Sequence, residues 1–167
     1  TLGCNMKFGI LNQEQYRLMT KAGFRFLLFG VESAQQDTLD RINKGIKVDD
    51  IVNGCKMAKK AGLDPHLTIM IGYPWETKED AIKTIELAKN LFRHGYADTL
   101  QATIVIPYPG TPLFDECKEK QLLVTKDWNH YDMGHAVMRS HISDNDIREL
   151  TKKLYDVFFT PEYVFRK

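Results

Sequence analysis

Apolar runs of strand length recur along this chain, each followed by an amphipathic stretch of helix length, at intervals of roughly 35–45 residues. Strands joined by helical crossovers run parallel, and the resulting βαβ units are right-handed. The pattern predicts an α/β fold of about four parallel strands. Phe24–Gly30 is an apolar run of strand length, as expected of a strand buried on both faces. His66–Ile71 and Thr99–Ile106 read as the next two strands, and Leu2–Met6 as the end of a first strand with its loop.

Helix signals fill the intervals. Asn12 is a good N-cap with Gln15 at the capping-box position, and Lys21 and Gly23 are stop signals. Asp37–Lys44 makes a short helix closed by Gly45. Val48–Ala61 carries an apolar stripe of Val48, Ile51, Val52, Cys55 and Ala58, with Asp49 and Asp50 at its positive N-terminal end. Thr77 caps a long helix to His94, with Ala81, Ile82, Ile85, Ala88 and Phe92 turned inward. The rhythm changes after Pro112. Phe114–Gln121 is a short polar helix, and Leu122–Arg139 is irregular with an edge strand at Ala136–Arg139. Ser143 caps a last helix whose stripe is Ile147, Leu150, Leu154, Val157 and Phe158. Residues 1–125 therefore form the main unit, and residues 126–167 an appendage of the same domain.

Charge and composition exclude several classes. A net charge of +1 gives no field to attract nucleic acid or an anionic membrane. No apolar run approaches the roughly 20 residues that span a bilayer. Cys4, Cys55 and Cys117 match no metal or redox spacing, and an odd number argues against a disulfide framework. A reducing cytoplasm is the expected compartment.

Three loops carry chemistry, each at the C-terminal end of a strand, where parallel α/β proteins bind ligands. In Phe29-Gly30-Val31-Glu32-Ser33, a carboxylate past a buried strand suits ribose hydroxyls or an amine; helix-start capping is the plainer reading. In Ile71-Gly72-Tyr73-Pro74-Trp75-Glu76-Thr77, Gly72 permits close backbone approach and the following helix start can hold an anion. Capping explains Thr77 but not Gly72, Tyr73 and Pro74. Pro107, Pro109 and Pro112 stiffen the third loop into a wall or a chain-reversal device. Trp75 suits stacking on a ligand, covering the mouth of the fold or meeting a partner. The five histidines show no ligand spacing and read as surface or core residues. Cys55 reads as core, Cys117 as partly exposed, and Cys4 as packed near the ligand face. Lys7, Arg25, Arg41 and Lys44 read as solvated.

Taken in order, Gly23-Phe24…Leu28-Phe29-Gly30-Val31-Glu32-Ser33, Asn43-Lys44-Gly45, Ile71-Gly72-Tyr73-Pro74-x-Glu76-Thr77 and Pro107-x-Pro109-Gly110-Thr111-Pro112-Leu113-Phe114 resemble radical S-adenosylmethionine (SAM) enzymes. The resemblance covers residues 10–125 and is greatest to cobalamin-binding Fe–S oxidoreductases and methylthiotransferases. It implies a partial TIM-type barrel whose four strands correspond to barrel strands three to six. It implies a parent enzyme in which a 4Fe–4S cluster reductively cleaves SAM to a 5′-deoxyadenosyl radical, with cobalamin as a further cofactor in some members. By position, Glu32 helps bind SAM at its ribose with Ser33 near. The strand that includes Met70 and Gly72 contacts adenine, as do Val105 and Ile106. Trp75 stands where the family usually has Gly, which puts the shape of that loop in question.

The family's Cys-x₃-Cys-x₂-Cys motif does not occur in this sequence. The chain is therefore expected to be the later part of a radical SAM enzyme, inactive alone, whose first partner is the preceding part of its own chain; its substrate is unknown. Two other readings stay open: a different partial-barrel enzyme using Glu32 and Glu76 as acid–base carboxylates, or a non-catalytic protein-binding module. A first strand with an unpaired edge predicts dimerisation or aggregation, through Leu2–Met6 in the first instance, or a first strand that is partly disordered.

Overall fold

The computed structural model describes residues 1–165. The elements run β1 (Leu2–Met6), α1 (Gln13–Lys21), β2 (Phe24–Glu32), α2 (Gln36–Arg41), α3 (Val48–Lys60), β3 (Asp64–Ile71), α4 (Lys78–Arg93), β4 (Thr99–Ile104), α5 (Pro112–Glu119), α6 (Asp144–Lys153) and α7 (Pro161–Val164), with 3₁₀ turns at Trp128–His130 and Leu154–Phe159. The four strands form one parallel sheet in sequential order. This is the parallel α/β arrangement the sequence predicts.

Local chemistry sets the helix limits. Asn12 and Gln15 make a reciprocal capping box on α1, and Thr77 and Asp80 make another on α4. Pro112 opens α5 behind the Thr111 cap, and Ser143 caps α6. The helices cover one face of the sheet. Leu27, Phe29 and Val31 of β2, Leu67, Ile69 and Ile71 of β3, and Leu100, Ala102 and Ile104 of β4 are buried beneath them. Tyr16, Ile51, Cys55, Ala81, Phe92 and Leu150 supply the helical side of that core.

The expectation that β2 is buried on both faces is wrong. Its burial alternates from Phe26, which is 39% exposed, through buried Leu27, Phe29 and Val31. On the opposite face α5 packs against Met70 at the end of β3, but the Phe26–Leu28–Gly30 row of β2 stays partly accessible. Smaller corrections have similar causes. Leu2–Met6 is a full five-residue strand, pinned along β2. The fourth strand ends at Ile104; Val105 still donates to Ile71 O at 3.0 Å, but the prolines prevent further pairing. Ile82 lies on the outer side of α4, 39% exposed. Cys117 is fully buried, with its thiol 3.6 Å from Met138 Sδ. The expected edge strand at 136–139 is a single antiparallel bridge, Leu123 to Met138.

The C-terminal segment packs into the same core through Ile142, Ile147, Leu150, Leu154 and Val157. It also finishes one side of the sheet. The Tyr155 hydroxyl accepts from Ala102 N at 3.1 Å and donates to Ala102 O at 3.3 Å, and Ile104 N donates to Met133 O at 3.0 Å. No helix among the described residues is long and apolar enough to cross a membrane.

Candidate functional site

The parallel order brings the C-terminal ends of β2, β3 and β4 side by side, so the three loops form one surface. At the end of β2 the register with β3 slips between Gly30 and Glu32. Ser33 N donates to Val31 O at 2.8 Å, and Glu32 takes φ 59° at the centre of that tight turn. Non-glycine residues seldom occupy this region, and such strain gathers at ligand sites. The side chain of Glu32 folds back over Gly30, where Lys44 Nζ donates to Oε1 at 2.6 Å. Any Cβ on residue 30 would collide with both atoms. The other oxygen, Oε2, is buried and has no hydrogen-bond partner. An unsatisfied acceptor of this kind costs on the order of 1–3 kcal/mol until a ligand donates to it.

Lys44 reaches this position through two left-handed residues, Asn43 at φ 53° and Gly45 at φ 63°, which bring the chain back after α2. It is therefore no solvated lysine, contrary to expectation. Arg41 and Arg25 are engaged as well. Arg41 lies 3.7 Å from the centre of the Trp75 ring and pairs with Glu116, while Arg25 pairs with Asp64.

The second loop is held from within. Glu76 is 1% exposed, and its Oε2 accepts from Gly72 N at 2.6 Å across the turn. Burial pushes this carboxyl up to about 7, against the downward pull of the Gly72 and Tyr73 N–H groups. Gly72 has φ 103°, and the room its missing side chain leaves is taken by Ile147 of α6. Tyr73 and Trp75 stack at 5.3 Å, and Trp75 Nε1 donates to Thr38 Oγ1 at 3.1 Å. Trp75 thus covers the mouth of the site as a fixed wall. The Tyr73 phenol is pushed up by burial first, and the charges of Glu32 and Glu76 add to the same effect.

Two clefts open on this surface. One, of about 460 Å³, is lined by Glu32, Lys44, Gly30, Asn5, Lys7 and Thr68. The other, of about 390 Å³, is lined by Met70, Tyr73, Trp75, Val105, Ile106 and Leu113. They share Ile42 and Asn43. Four of the sequence-predicted residues, Glu32, Met70, Val105 and Ile106, therefore line adjoining clefts. Ser33 lines neither: it is fully buried, and its Oγ accepts from Gln35 N at 3.1 Å. Gly72 also lines neither, because its amide serves Glu76. Sequence reasoning missed the site roles of Gly30, Lys44 and Tyr73. The Asn43-Lys44-Gly45 turn was the available signal for Lys44.

A polar end and an apolar end joined in this way fit a nucleoside with a charged substituent. A metal cluster is not matched. Cys4 lies on β1, Cys55 is buried within α3 and Cys117 within α5, and among the described residues no group of His, Cys, Asp or Glu could hold a metal ion.

Comparison with known proteins bears on the family and the fold. The family model of the Radical SAM superfamily matches residues 7–88. The chain is 36% identical over 149 residues to an uncharacterised methyltransferase of Pyrococcus horikoshii, covering 89% of this chain and 32% of that protein. It is 32% identical over 127 residues to the bacteriochlorophyllide d C-8(2)-methyltransferase of Chlorobaculum tepidum, covering 73% of this chain and 27% of that protein. The chain thus spans about a third or less of the curated relatives it matches. Its fold resembles that of TsrM, a radical SAM methyltransferase from Kitasatospora setae solved with cobalamin and a 4Fe–4S cluster bound, with TM-score 0.62 and 16% identity over 94% of this chain and 30% of that one. With its three loops in family order and its parallel sheet, the chain belongs to the radical SAM superfamily.

Proposed function

We propose that the adjoining clefts bind SAM, and that the chain forms the nucleoside side of the active site of a radical SAM methyltransferase-like enzyme. The observation that carries this reading is Glu32, with one oxygen fixed by Lys44 and the other buried without a donor, lining a cleft that adjoins the apolar one. A ribose hydroxyl supplies the missing donor. Lys44 holds the carboxylate in place through its 2.6 Å contact with Oε1. Met70, Val105 and Ile106 present apolar surface to the adenine, and the Tyr73–Trp75 stack closes that side against water.

In radical SAM chemistry the cluster, when bound, supplies the electron that splits SAM. In this reading its ligands come from outside the described residues, since Cys4, Cys55 and Cys117 stand on separate elements. Cobalamin belongs to the proposal through the methyltransferase relatives and TsrM; no residue here is assigned to it. The acid–base alternative is weaker, because Glu76 lines neither cleft and is tied to its own loop.

The test is binding of S-adenosylhomocysteine, measured by calorimetry. Glu32→Gln is expected to weaken it at least about tenfold, the worth of one charge-assisted hydrogen bond. Equal affinity in a folded variant refutes the assignment. In the whole protein with a reconstituted cluster, release of 5′-deoxyadenosine from SAM tests the activity itself.

A further inference from the structure

A third cleft, of about 460 Å³, lies behind the Trp75 wall. It is lined by Arg41, Lys120, Arg139 and His141 around a single acid, Glu116. Arg41, Trp75 and Glu116 also line the Met70 cleft, so the two spaces share a wall. The four basic residues come from three places: Arg41 from the end of α2, Lys120 from the residue after α5, and Arg139 and His141 from the segment that follows the Leu123–Met138 bridge. That last segment is fixed, because Arg139 N donates to Leu122 O at 2.8 Å.

Glu116 shows what the cleft holds. Its carboxylate takes Lys120 Nζ at 2.6 Å together with Arg41, and these partners hold it below the usual carboxylate range. Arg139 and His141 face the same space, and among the described residues their side chains have no hydrogen-bond or ion-pair partner. Two cations thus hold one internal carboxylate, and an arginine and an imidazole beside them have none. A planar guanidinium suits a second carboxylate in two-point contact.

We propose that this cleft binds a carboxylate group of the substrate, anchored on Arg139 and His141, so that the enzyme acts on carboxylic acids. The proposal rests on the SAM assignment for its link to catalysis, since the shared wall sets the anchored acid beside the nucleoside cleft. The cleft as a carboxylate site stands on its own contacts.

The probes are glutarate and inorganic phosphate, titrated at fixed ionic strength and followed by ¹H–¹⁵N shifts of backbone and side-chain groups. Glutarate is expected to give saturable shifts confined to Lys120 and residues 139–141. Arg139→Gln should weaken it about tenfold, as loss of one charge-assisted pair does. Lys120→Gln serves as a second variant should the first misfold. Glu116→Gln should tighten binding severalfold by freeing Arg41 and Lys120. Scattered shifts, or an unchanged affinity in both charge-removal variants, overturn the site. Phosphate binding more tightly than glutarate overturns the carboxylate assignment in favour of a phosphoryl group. S-adenosylhomocysteine is titrated into the same samples. If it fails to bind while glutarate binds locally, the nucleoside reading falls and the carboxylate site stands.

Discussion

Gly30 allows the sharpest test of how the site is built. Replacing it with Ala puts one methyl on the sheet where the Glu32 carboxylate and Lys44 ammonium meet. The nearest atoms to that methyl are the ends of these two flexible side chains, so they move and the backbone stays. Both are partly buried, with Glu32 13% and Lys44 26% exposed at the side chain. Losing their hydrogen bond costs about 1.5–2 kcal/mol. Replacing Gly within a strand returns roughly 0.5–1 kcal/mol of backbone entropy. The net loss is about 1 kcal/mol, equivalent to roughly 2–4 °C in Tm for a chain of this size. Ligand affinity falls further, because Glu32 leaves its position; one lost charged hydrogen bond of about 1.5–3 kcal/mol is roughly ten- to a hundredfold in Kd. Calorimetry with S-adenosylhomocysteine, beside a thermal melt of the same sample, reads both quantities. Wild-type affinity in a folded Gly30→Ala protein refutes the role of the pair. A fall of more than about 10 °C in Tm would mean that backbone, and not side-chain ends, resists the methyl.

Two further outcomes follow from groups around the sheet. Because the Glu76 carboxyl is raised from 4.5 to about 7, the folded state binds more protons than the unfolded state between those values, and the group's contribution to stability is lost as pH rises through that window. Glu76→Gln should therefore gain roughly 2–3 kcal/mol on wild type between pH 4.5 and 8 in urea unfolding, and a constant difference would contradict it. At the other end of the sheet, Leu2 is 50% exposed beside the unpaired edge of β1. The protein is expected to dimerise with rising concentration in light scattering, and Leu2→Lys to hold it monomeric; a wild-type monomer at high concentration would show that the edge is protected.

The strand–helix rhythm made the parallel order legible, since helical crossovers leave little choice of strand direction. Helix starts were legible where a cap side chain acts within three residues, as at Asn12 and Thr77. What escaped was tertiary. Phe26 and Leu67 are both apolar strand residues, yet only Leu67 has helices above it. Glu32 could be singled out because an acid stands at a strand end two residues after Gly30. Its dependence on Lys44, twelve residues away, was not legible, because two left-handed residues make that contact. Gly72 illustrates the converse. Its sequence context suggested a ligand approach, and the fold spends the space on Ile147.

Tyr155 gives the two edges of the sheet different fates. Its single hydroxyl occupies both outward backbone groups of Ala102, so β4 offers an incoming strand no ladder to extend at that point. Along Leu2–Met6 no comparable stopper exists among the described residues. Among the described residues, the β1 edge is therefore the more open of the two to an added strand. Among the described residues, two copies pairing along Leu2–Met6 would each use the edge that no side chain blocks, which favours a closed pair over continued growth.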